Sequence, residues 1–201
     1  MSKYLARERL TVADGIRWIE EGPFDLGYGI VFARSLEPLE LVTRLGADLI
    51  SDEPMSRRDA NSYESYEEDI QVIRVGSEGH WTFAVAEYGP PGKIGTNEDV
   101  ACLVSAGTDA LSYPRTVNFD TWFSFARDGR MTCCFQPGFR IAWHTFPGGL
   151  AEELGHAGLL ADEVPADDWE RTLAMGETEF GLNLPRHDLV DGQLLAACIT
   201  P

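Results

Sequence analysis

The chain has 201 residues, of which 44% are hydrophobic and 24% are charged, and this composition suits a single globular domain with a buried core. A formal net charge of -17 argues against binding to nucleic acids or to anionic membrane surfaces. The sequence shows neither an apolar stretch of about 18 residues, as a bilayer span requires, nor a secretory signal, so we expect a cytoplasmic protein.

The first quarter of the chain predicts a loose terminus, two helices and a strand. Residues 1–10 are expected to be loose, and residues 11–22 predict a short helix that ends at a Gly-Pro pair. The continuous apolar run over 27–35 is typical of a buried strand. Residues 36–48 then predict a second helix, because leucines and a valine recur every three to four positions.

An acidic segment separates this part from a predicted hairpin. Residues 51–69 hold seven acidic residues and two arginines and have no helical or strand periodicity, so we predict an acidic mobile loop. Residues 70–76 and 80–88 are rich in β-branched and aromatic residues and are joined by the short turn 77–79. This pattern predicts an antiparallel hairpin.

The middle of the chain predicts a helix and three further strands. Residues 97–107 predict the helix and residues 108–117 a strand, in which Pro114 favours an edge position or a bulge. The segment 120–135 has two aromatic-rich arms joined by Asp128-Gly129, a pair that readily adopts the positive φ angles of a tight type I′ turn. We therefore predict a second hairpin here.

The C-terminal quarter is predicted to be mainly helical. Residues 147–160 and 165–182 predict two helices, and residues 184–201 a helical turn followed by a short strand. No linker or internal repeat divides the chain. The sequence therefore predicts one α+β domain over residues 1–201, mainly an antiparallel sheet of about five to seven strands packed against helices.

The stretch EYGPPGKIGTNED, residues 87–99, has the glycines and the lysine of a phosphate-binding loop but not their spacing. Two residues, not four, separate its first two glycines, and isoleucine follows the lysine where a hydroxyl is needed. We interpret it as a rigid turn. The four histidines have no i, i+4 pairing, the cysteines form no C-x-x-C, and neither a metal nor a cofactor is expected. The four cysteines predict reduced thiols.

Candidate catalytic groups are few. Ser105 lacks the G-x-S-x-G elbow of hydrolases, and its surroundings predict a helix end capped by Gly107. Glu87 follows an apolar strand and precedes the rigid turn, so a half-buried carboxylate with a perturbed pKa is one reading, and a strand-end acid in water or paired with an arginine is the other. Cys134 and His144 are the further polar groups to consider if the chain is an enzyme.

Aromatic residues crowd the predicted central strands. Strand alternation places Trp81 and Phe83 on one face of the sheet and puts Trp122 and Phe135 on the other face. Most of these rings are expected to form the core. The segment 136–147 has no regular pattern, and its apolar residues must be buried against another surface. It is therefore a candidate for the wall of a pocket or for an interface. The candidate binding residues are Trp81, Glu87, Trp122, Phe139 and Trp143.

Several short motifs of the chain occur in the same order along the sequence as in a known protein family. They are Arg34-x-Leu36-x-Pro38 before a helix, Trp81 with Glu87-x-Gly89, Ser105-Ala106-Gly107-Thr108, and Asp128-Gly129 before Phe135-x-Pro137. In this pattern the chain, over residues 14 to 200, resembles an uncharacterised actinobacterial domain-of-unknown-function family found in streptomycetes. The resemblance implies a cytoplasmic actinobacterial protein. It implies no activity, because the family has none assigned.

Two functional hypotheses and one structural possibility remain open from the sequence. The first is a non-catalytic module that binds another protein in a regulatory or toxin-neutralising role, and the acidic surface permits a basic partner. The second is a small-molecule-binding protein or an enzyme of specialised metabolism, with a pocket on the aromatic sheet that Glu87, Cys134 and His144 would serve. The third is a homo-oligomer formed through a sheet edge or an aromatic patch.

Overall fold

The computed structural model describes residues 14–24, 26–65, 70–87, 94, 98–139, 149–160 and 165–200. Its helices are a 3-10 helix Arg17–Glu21, α1 Pro38–Arg44, α2 Arg57–Asn61, α3 Glu98–Val104, α4 Ala151–His156, α5 Asp168–Phe180 and α6 Arg186–Val190. Its strands are β1 Tyr28–Arg34, β2 Asp48–Leu49, β3 Met55–Ser56, β4 Gln71–Glu78, β5 Trp81–Glu87, β6 Asp109–Arg115, β7 Phe123–Arg127, β8 Arg130–Phe135 and β9 Gln193–Ile199.

The strands form one antiparallel sheet in the order β2-β9-β4-β5-β1-β6-β7-β8, and β3 also pairs with β9. This arrangement confirms the predicted α+β class with a mainly antiparallel sheet. The strand count is higher than predicted, because β2 and β3 have two residues each and carry no alternation that a sequence pattern can reveal. Both short strands depend on β9 for their pairing.

Helices cover both faces of the sheet. The first face carries the large rings, including Phe32, Phe83 and Tyr113, and packs against the 3-10 helix, α4 and α5. The second face carries smaller residues such as Val31 and Ala84 and packs against α1 and α3. Because both faces are covered, β1 and β5 are buried along almost their whole length and have continuous apolar sequences.

The aromatic side chains of the central strands fill the first face, as predicted. Phe32 contacts Trp81 and Tyr113 edge to face, and Tyr113 contacts Phe123 in the same way at 5.2 Å. The placement of Phe135 on the other face was wrong. Phe135 lies beside Phe123, 5.0 Å between ring centroids, because the two residues are direct partners in the β7–β8 ladder and opposite residues share a face.

Three predictions about local structure are corrected by the structure. The acidic segment 51–69 is not a structureless loop, since β3 and α2 lie within it; residues 66–69 lie outside the described part of the chain. Helix α2 has only five residues, which is too short for a periodic pattern. The helix expected over 11–22 is a single 3-10 turn, and most of residues 11–14 lie outside the described part.

The third correction concerns Pro114. Strand β6 lies inside the sheet, between β1 and β7, and not at an edge. Pro114 is tolerated there because the regular pairing with β7 stops at Ser112. Its carbonyl accepts a hydrogen bond from the Trp122 amide at 3.1 Å on that same side, so the missing N–H interrupts no ladder bond.

The two hairpins and the C-terminal elements agree with the sequence analysis. Asp128 and Gly129 have φ angles of 49° and 74°, as the tight turn between β7 and β8 requires. Gly107 has a φ of 71° and ends the α3 region as predicted. The turn between β4 and β5 lies at Gly79 and His80, slightly later than expected. Within the described residues, no helix is both long and apolar enough to cross a bilayer.

Candidate functional site

The three polar groups considered for catalysis do not converge in the described part of the chain. Glu87 pairs with Tyr28 and lies on the first face of the sheet. Cys134 pairs with Ser124 and lies on the second face, opposite its neighbour Cys133. His144 lies outside the described residues. Both cysteines are buried, because helices cover both faces, and burial raises the pKa of Cys133 to about 12.

The candidate binding residues also have separate environments. Trp81 is a core residue whose Nε1 donates to the carbonyl of Phe180 at 2.9 Å. Trp122 is half-buried, Phe139 is exposed, and Trp143 lies outside the described residues. Glu87 remains as the member of the set that lies in a buried polar cluster.

The first feature of interest is a buried ion pair between α2 and the end of β5. Glu87, with 5% of its surface exposed, accepts a bidentate pair of hydrogen bonds from Arg57, with Nε to Oε1 at 2.6 Å. Asn61 adds a bond to Oε2 at 3.1 Å. The Arg57 guanidinium also donates to the carbonyl of Pro23 and lies over the ring of Phe24 at 5.5 Å. These contacts attach α2 to the sheet.

A second buried cation, Arg74, lies near the Arg57–Glu87 pair. Arg74 of β4 is almost fully buried and donates to the carbonyls of Leu189, Asp188 and Gly192 at the end of α6. Burial lowers the pKa of Arg74, and the charge of Glu87 opposes this shift. A buried arginine bonded to the end of a helix is a structural arrangement, since the carbonyls there carry partial negative charge.

Glu64 lies next to this cluster and has an unusual titration. It is half-buried, and its Oε1 has no hydrogen-bond partner among the described residues. Burial first, and then the charge of Glu87, raise the pKa of Glu64 to about 7. Burial raises the pKa of Cys198 on β9, and the charges of Asp48 and Glu64 add to this shift.

Replacing Glu64 with glutamine is expected to flatten the pH dependence of stability. Below about pH 4.5 the Glu64 carboxyl is protonated in both the folded and the unfolded protein. Between about pH 4.5 and 7 it loses its proton in the unfolded protein but keeps it in the folded protein. The free energy of unfolding of the native sequence therefore falls as pH rises through this window. We expect a fall of about 1 kcal/mol relative to E64Q, since the group is half exposed to solvent.

Urea unfolding of both proteins at several pH values between about 4.5 and 8 measures this difference. The exposed Glu37, on α1's side of the sheet, provides the control substitution Glu37→Gln. If the E64Q and native curves stay parallel throughout, Glu64 is not protonated in the folded state.

The second feature is a groove between the 3-10 helix and α5, with a volume of about 630 Å³. We call it the acidic groove. Its charged lining residues are Asp14, Arg17, Glu20, Glu21, Glu170 and Glu177. Two tryptophans, Trp18 and Trp169, also line it. The acidic groove therefore combines five carboxylates with two large aromatic rings and one lining cation.

Two of the carboxylates in the acidic groove are held by several partners. Glu177 accepts hydrogen bonds from the backbone amides of Ile16 and Arg17, at 2.7 and 3.0 Å, and from the Arg17 side chain at 2.9 Å. It thus caps the start of the 3-10 helix. This ion pair ties the 3-10 helix to α5, whose residues are far away in sequence.

Glu20 is held in the same groove by a different set of donors. It accepts hydrogen bonds from the phenol of Tyr28 and from Nε1 of Trp169, the latter at 3.2 Å, and it lies 3.4 Å from the Arg115 guanidinium. Burial and the neighbouring Glu20 raise the pKa of Tyr28, so the phenol stays protonated and donates.

Of the three remaining acids, Asp14 accepts a hydrogen bond from the Arg186 amide at 2.9 Å, and Glu21 and Glu170 are available to a ligand. Glu21 and Glu170 are exposed, and the Arg17 guanidinium lies 3.9 Å from the Glu170 carboxylate.

Trp18 is almost fully buried and already has the Arg186 guanidinium over its ring at 5.4 Å, whereas Trp169 is half-buried. Carboxylates beside the Trp169 ring suit an organic cation, since an indole ring attracts positive charge over its face. Within the described residues, no group of three or more His, Cys, Asp and Glu side chains is arranged to hold a metal ion.

Sequence reasoning did not identify the acidic groove. Its lining residues come from the 3-10 helix and from α5, and Glu177 is 161 residues away from the Ile16 amide that it binds. The acidic residues of both segments are visible in the sequence. Their convergence depends on the packing of α5 over the first face of the sheet, which no local pattern specifies.

Comparison with known proteins gives a family but no function. Neither a curated protein nor a solved structure matches the chain. One family model, described as "Family of unknown function (DUF6461)", matches residues 9–186, which includes the acidic groove and the Arg57–Glu87 pair. The chain therefore belongs to this family of unknown function.

Proposed function

We propose that this protein is a non-catalytic module that binds a basic protein partner, in a regulatory or toxin-neutralising role. The observation that carries the proposal is the acidic groove, in which the exposed carboxylates of Glu21 and Glu170 lie with half-buried Trp169, among five lining carboxylates in all. A lysine or arginine side chain has the charge, the length and the affinity for indole rings that such a groove accommodates.

The charge of the whole chain supports the same partner. A net charge of -17 attracts a basic protein over long distances and accelerates its association. The acidic groove is also preorganised in part, because Glu20 and Glu177 are held by hydrogen bonds from other residues of the chain. Preorganised groups lose less conformational entropy on binding than mobile ones.

The alternative function, a small-molecule pocket on the aromatic sheet, has less support. The rings of the first face, Phe32, Phe83, Phe123 and Phe125 among them, fill the space between the sheet and its helices. The polar groups proposed for this pocket, Glu87 and Cys134, lie on opposite faces of the sheet, and Glu87 forms an ion pair with Arg57. The segment 140–148, the other expected wall of that pocket, lies outside the described residues.

Neutralising the acidic groove is expected to weaken binding of a basic peptide. The substitutions Glu21→Gln and Glu170→Gln remove two exposed charges without disturbing Glu20 or Glu177. We expect the Kd of a short peptide of alternating arginine and glycine to rise about five-fold, since exposed ion pairs contribute up to about 1 kcal/mol each. Isothermal titration calorimetry at low salt measures this change.

A matched control separates the acidic groove from the overall charge. The double substitution Glu37→Gln, Glu53→Gln changes the net charge by the same amount at exposed positions outside the acidic groove. We expect it to alter the Kd less than two-fold (about 0.4 kcal/mol). Equal losses in both variants would mean that the peptide responds only to net charge, and the proposed site would be wrong.

The resemblance and composition also imply a setting for this function. A cytoplasmic protein of an actinobacterium that neutralises a basic toxin or regulates a basic partner fits the acidic composition. These points of origin and location remain predictions. Fractionation of the source cells, followed by detection of the chain with an antibody, measures the location.

A further inference from the structure

An exposed apolar patch lies on the turn between β6 and β7. Val117 and Phe119 have 65% and 66% of their surfaces exposed, and Leu26 has 52% exposed. Leu26 precedes Gly27, which lies against this turn, since a Cβ placed on Gly27 would be 3.1 Å from the backbone nitrogen of Val117. We call Leu26, Val117 and Phe119 the apolar turn.

The apolar turn is held in one conformation by its backbone. The Phe119 amide donates to the carbonyl of Thr116 at 2.9 Å, and the Thr116 amide donates to the carbonyl of Asp120 at 2.8 Å. Phe119 has a φ of 66°, a left-handed conformation that is uncommon and strained for an aromatic residue. The turn therefore holds a large ring in solvent at an energetic cost.

The apolar turn and the acidic groove are adjacent. The Arg115 guanidinium lies 4.7 Å from the centre of the Phe119 ring and 3.4 Å from the Glu20 carboxylate of the acidic groove. One side chain thus contacts both surfaces. A partner segment of a few residues in extended conformation is long enough to reach from one to the other.

We propose that the apolar turn seats an apolar side chain of the basic partner, next to the basic side chain that enters the acidic groove. This inference rests on the proposed function and adds the class of segment that is recognised: a basic residue close to a leucine or an aromatic residue. Apolar anchors surrounded by charged rims are the usual arrangement at protein interfaces.

Charge complementarity selects this occupant over the other candidates. A second copy of this chain would bring two surfaces together that each carry the carboxylates of the acidic groove, and two molecules of net charge -17 repel each other. An anionic lipid surface is repelled in the same way. A basic protein segment satisfies the apolar turn and the neighbouring carboxylates together.

Two peptides test the inference in titrations against the full chain. The first is the arginine–glycine peptide, and the second has the same charge with one glycine replaced by leucine. We expect the leucine peptide to bind native protein about five-fold more tightly, as burial of one aliphatic side chain contributes on the order of 1 kcal/mol net at a partly exposed site. Substitution Phe119→Asn should abolish this preference while leaving binding of the first peptide within two-fold (about 0.4 kcal/mol).

The substitution is chosen to preserve the fold. Asparagine adopts positive φ more readily than phenylalanine does, so F119N relieves backbone strain while it removes the ring. The control is Leu39→Asn, which removes an apolar side chain with 55% of its surface exposed from α1, on the other face of the sheet. It should leave the leucine preference unchanged.

The outcomes distinguish this inference from the function on which it rests. If both peptides bind in the acidic groove with equal affinity, the apolar turn is not an anchor and the proposed function stands. If neither peptide depends on Glu21 and Glu170, the proposed function fails. If native protein dimerises in sedimentation experiments and F119N does not, the occupant is a second copy and the inference is overturned.

Discussion

Replacing Arg57 with methionine is expected to lower the free energy of unfolding by about 3–5 kcal/mol. Its partner Glu87 is buried at the end of β5 and receives both guanidinium hydrogen bonds from this one side chain. Methionine fills a similar volume but leaves the carboxylate with Asn61 as its remaining hydrogen-bond donor among the described residues. A buried charge that loses its counter-ion keeps the full cost of its desolvation.

Urea denaturation of the single and double variants measures this effect. We expect Glu87→Gln in the R57M background to restore part of the lost stability, because it removes the uncompensated charge. The control is Arg171→Met, which breaks the exposed pair between Arg171 and Asp167 at 2.8 Å on α5. Exposed pairs of this kind contribute below about 0.5 kcal/mol. A loss in R57M no greater than that in R171M would show that α2 is not held by the ion pair.

The second large effect is expected at the contact between α5 and the sheet. A Cβ placed on Gly176 would lie 2.5 Å from the phenol oxygen of Tyr113 and 3.1 Å from side-chain carbons of Ile16 and Leu182. We expect Gly176→Ala to lower the free energy of unfolding by about 2 kcal/mol, as overpacking of a core outweighs the gain in helix propensity. The glycine lets the helix approach the Tyr113 ring closely.

A double-mutant cycle with Tyr113→Phe tests the cause. The Tyr113 hydroxyl is buried and has no hydrogen-bond partner among the described residues, so Y113F alone should be neutral or stabilising by about 1 kcal/mol. In the Y113F background, G176A should lose less stability, because the closest clashing atom is absent. The matched glycine is Gly155 of α4, which faces open space, and Gly155→Ala should stabilise slightly. Additive effects at positions 113 and 176 would contradict the close contact.

The regular elements could be predicted because their patterns are local. The apolar run of β1, the aromatic arms around Asp128-Gly129 and the periodicity of α5 each identify an element without reference to the rest of the chain. Helix α2 was missed although its start has a local signal. Ser56 and Asp59 are spaced as a helix cap, and Ser56 Oγ accepts a hydrogen bond from the Asp59 amide at 3.2 Å. This short motif was not recognised as a helix start, because the many acidic residues of 51–69 favoured a loop.

The candidate sites could be predicted only in part. The position of Glu87 after an apolar strand indicated a half-buried carboxylate; Glu87 is buried rather than in water, and it is paired with an arginine. The identity of that arginine was not accessible, because Arg57 lies 30 residues earlier on a helix that was not predicted. The acidic groove and the apolar turn depend on contacts between distant segments, which composition and spacing do not specify.

The position of β9 determines when the sheet can be completed during synthesis. This strand, Gln193–Ile199, lies between β2 and β4 and also pairs with β3, so three strands acquire their neighbour from the C-terminal end of the described chain. While these residues are still inside the ribosome, β4 presents unpaired backbone groups along one side. A nascent chain in that state offers a template for aggregation and a substrate for chaperones. Premature termination before Gln193 therefore leaves an open sheet rather than a slightly shortened protein.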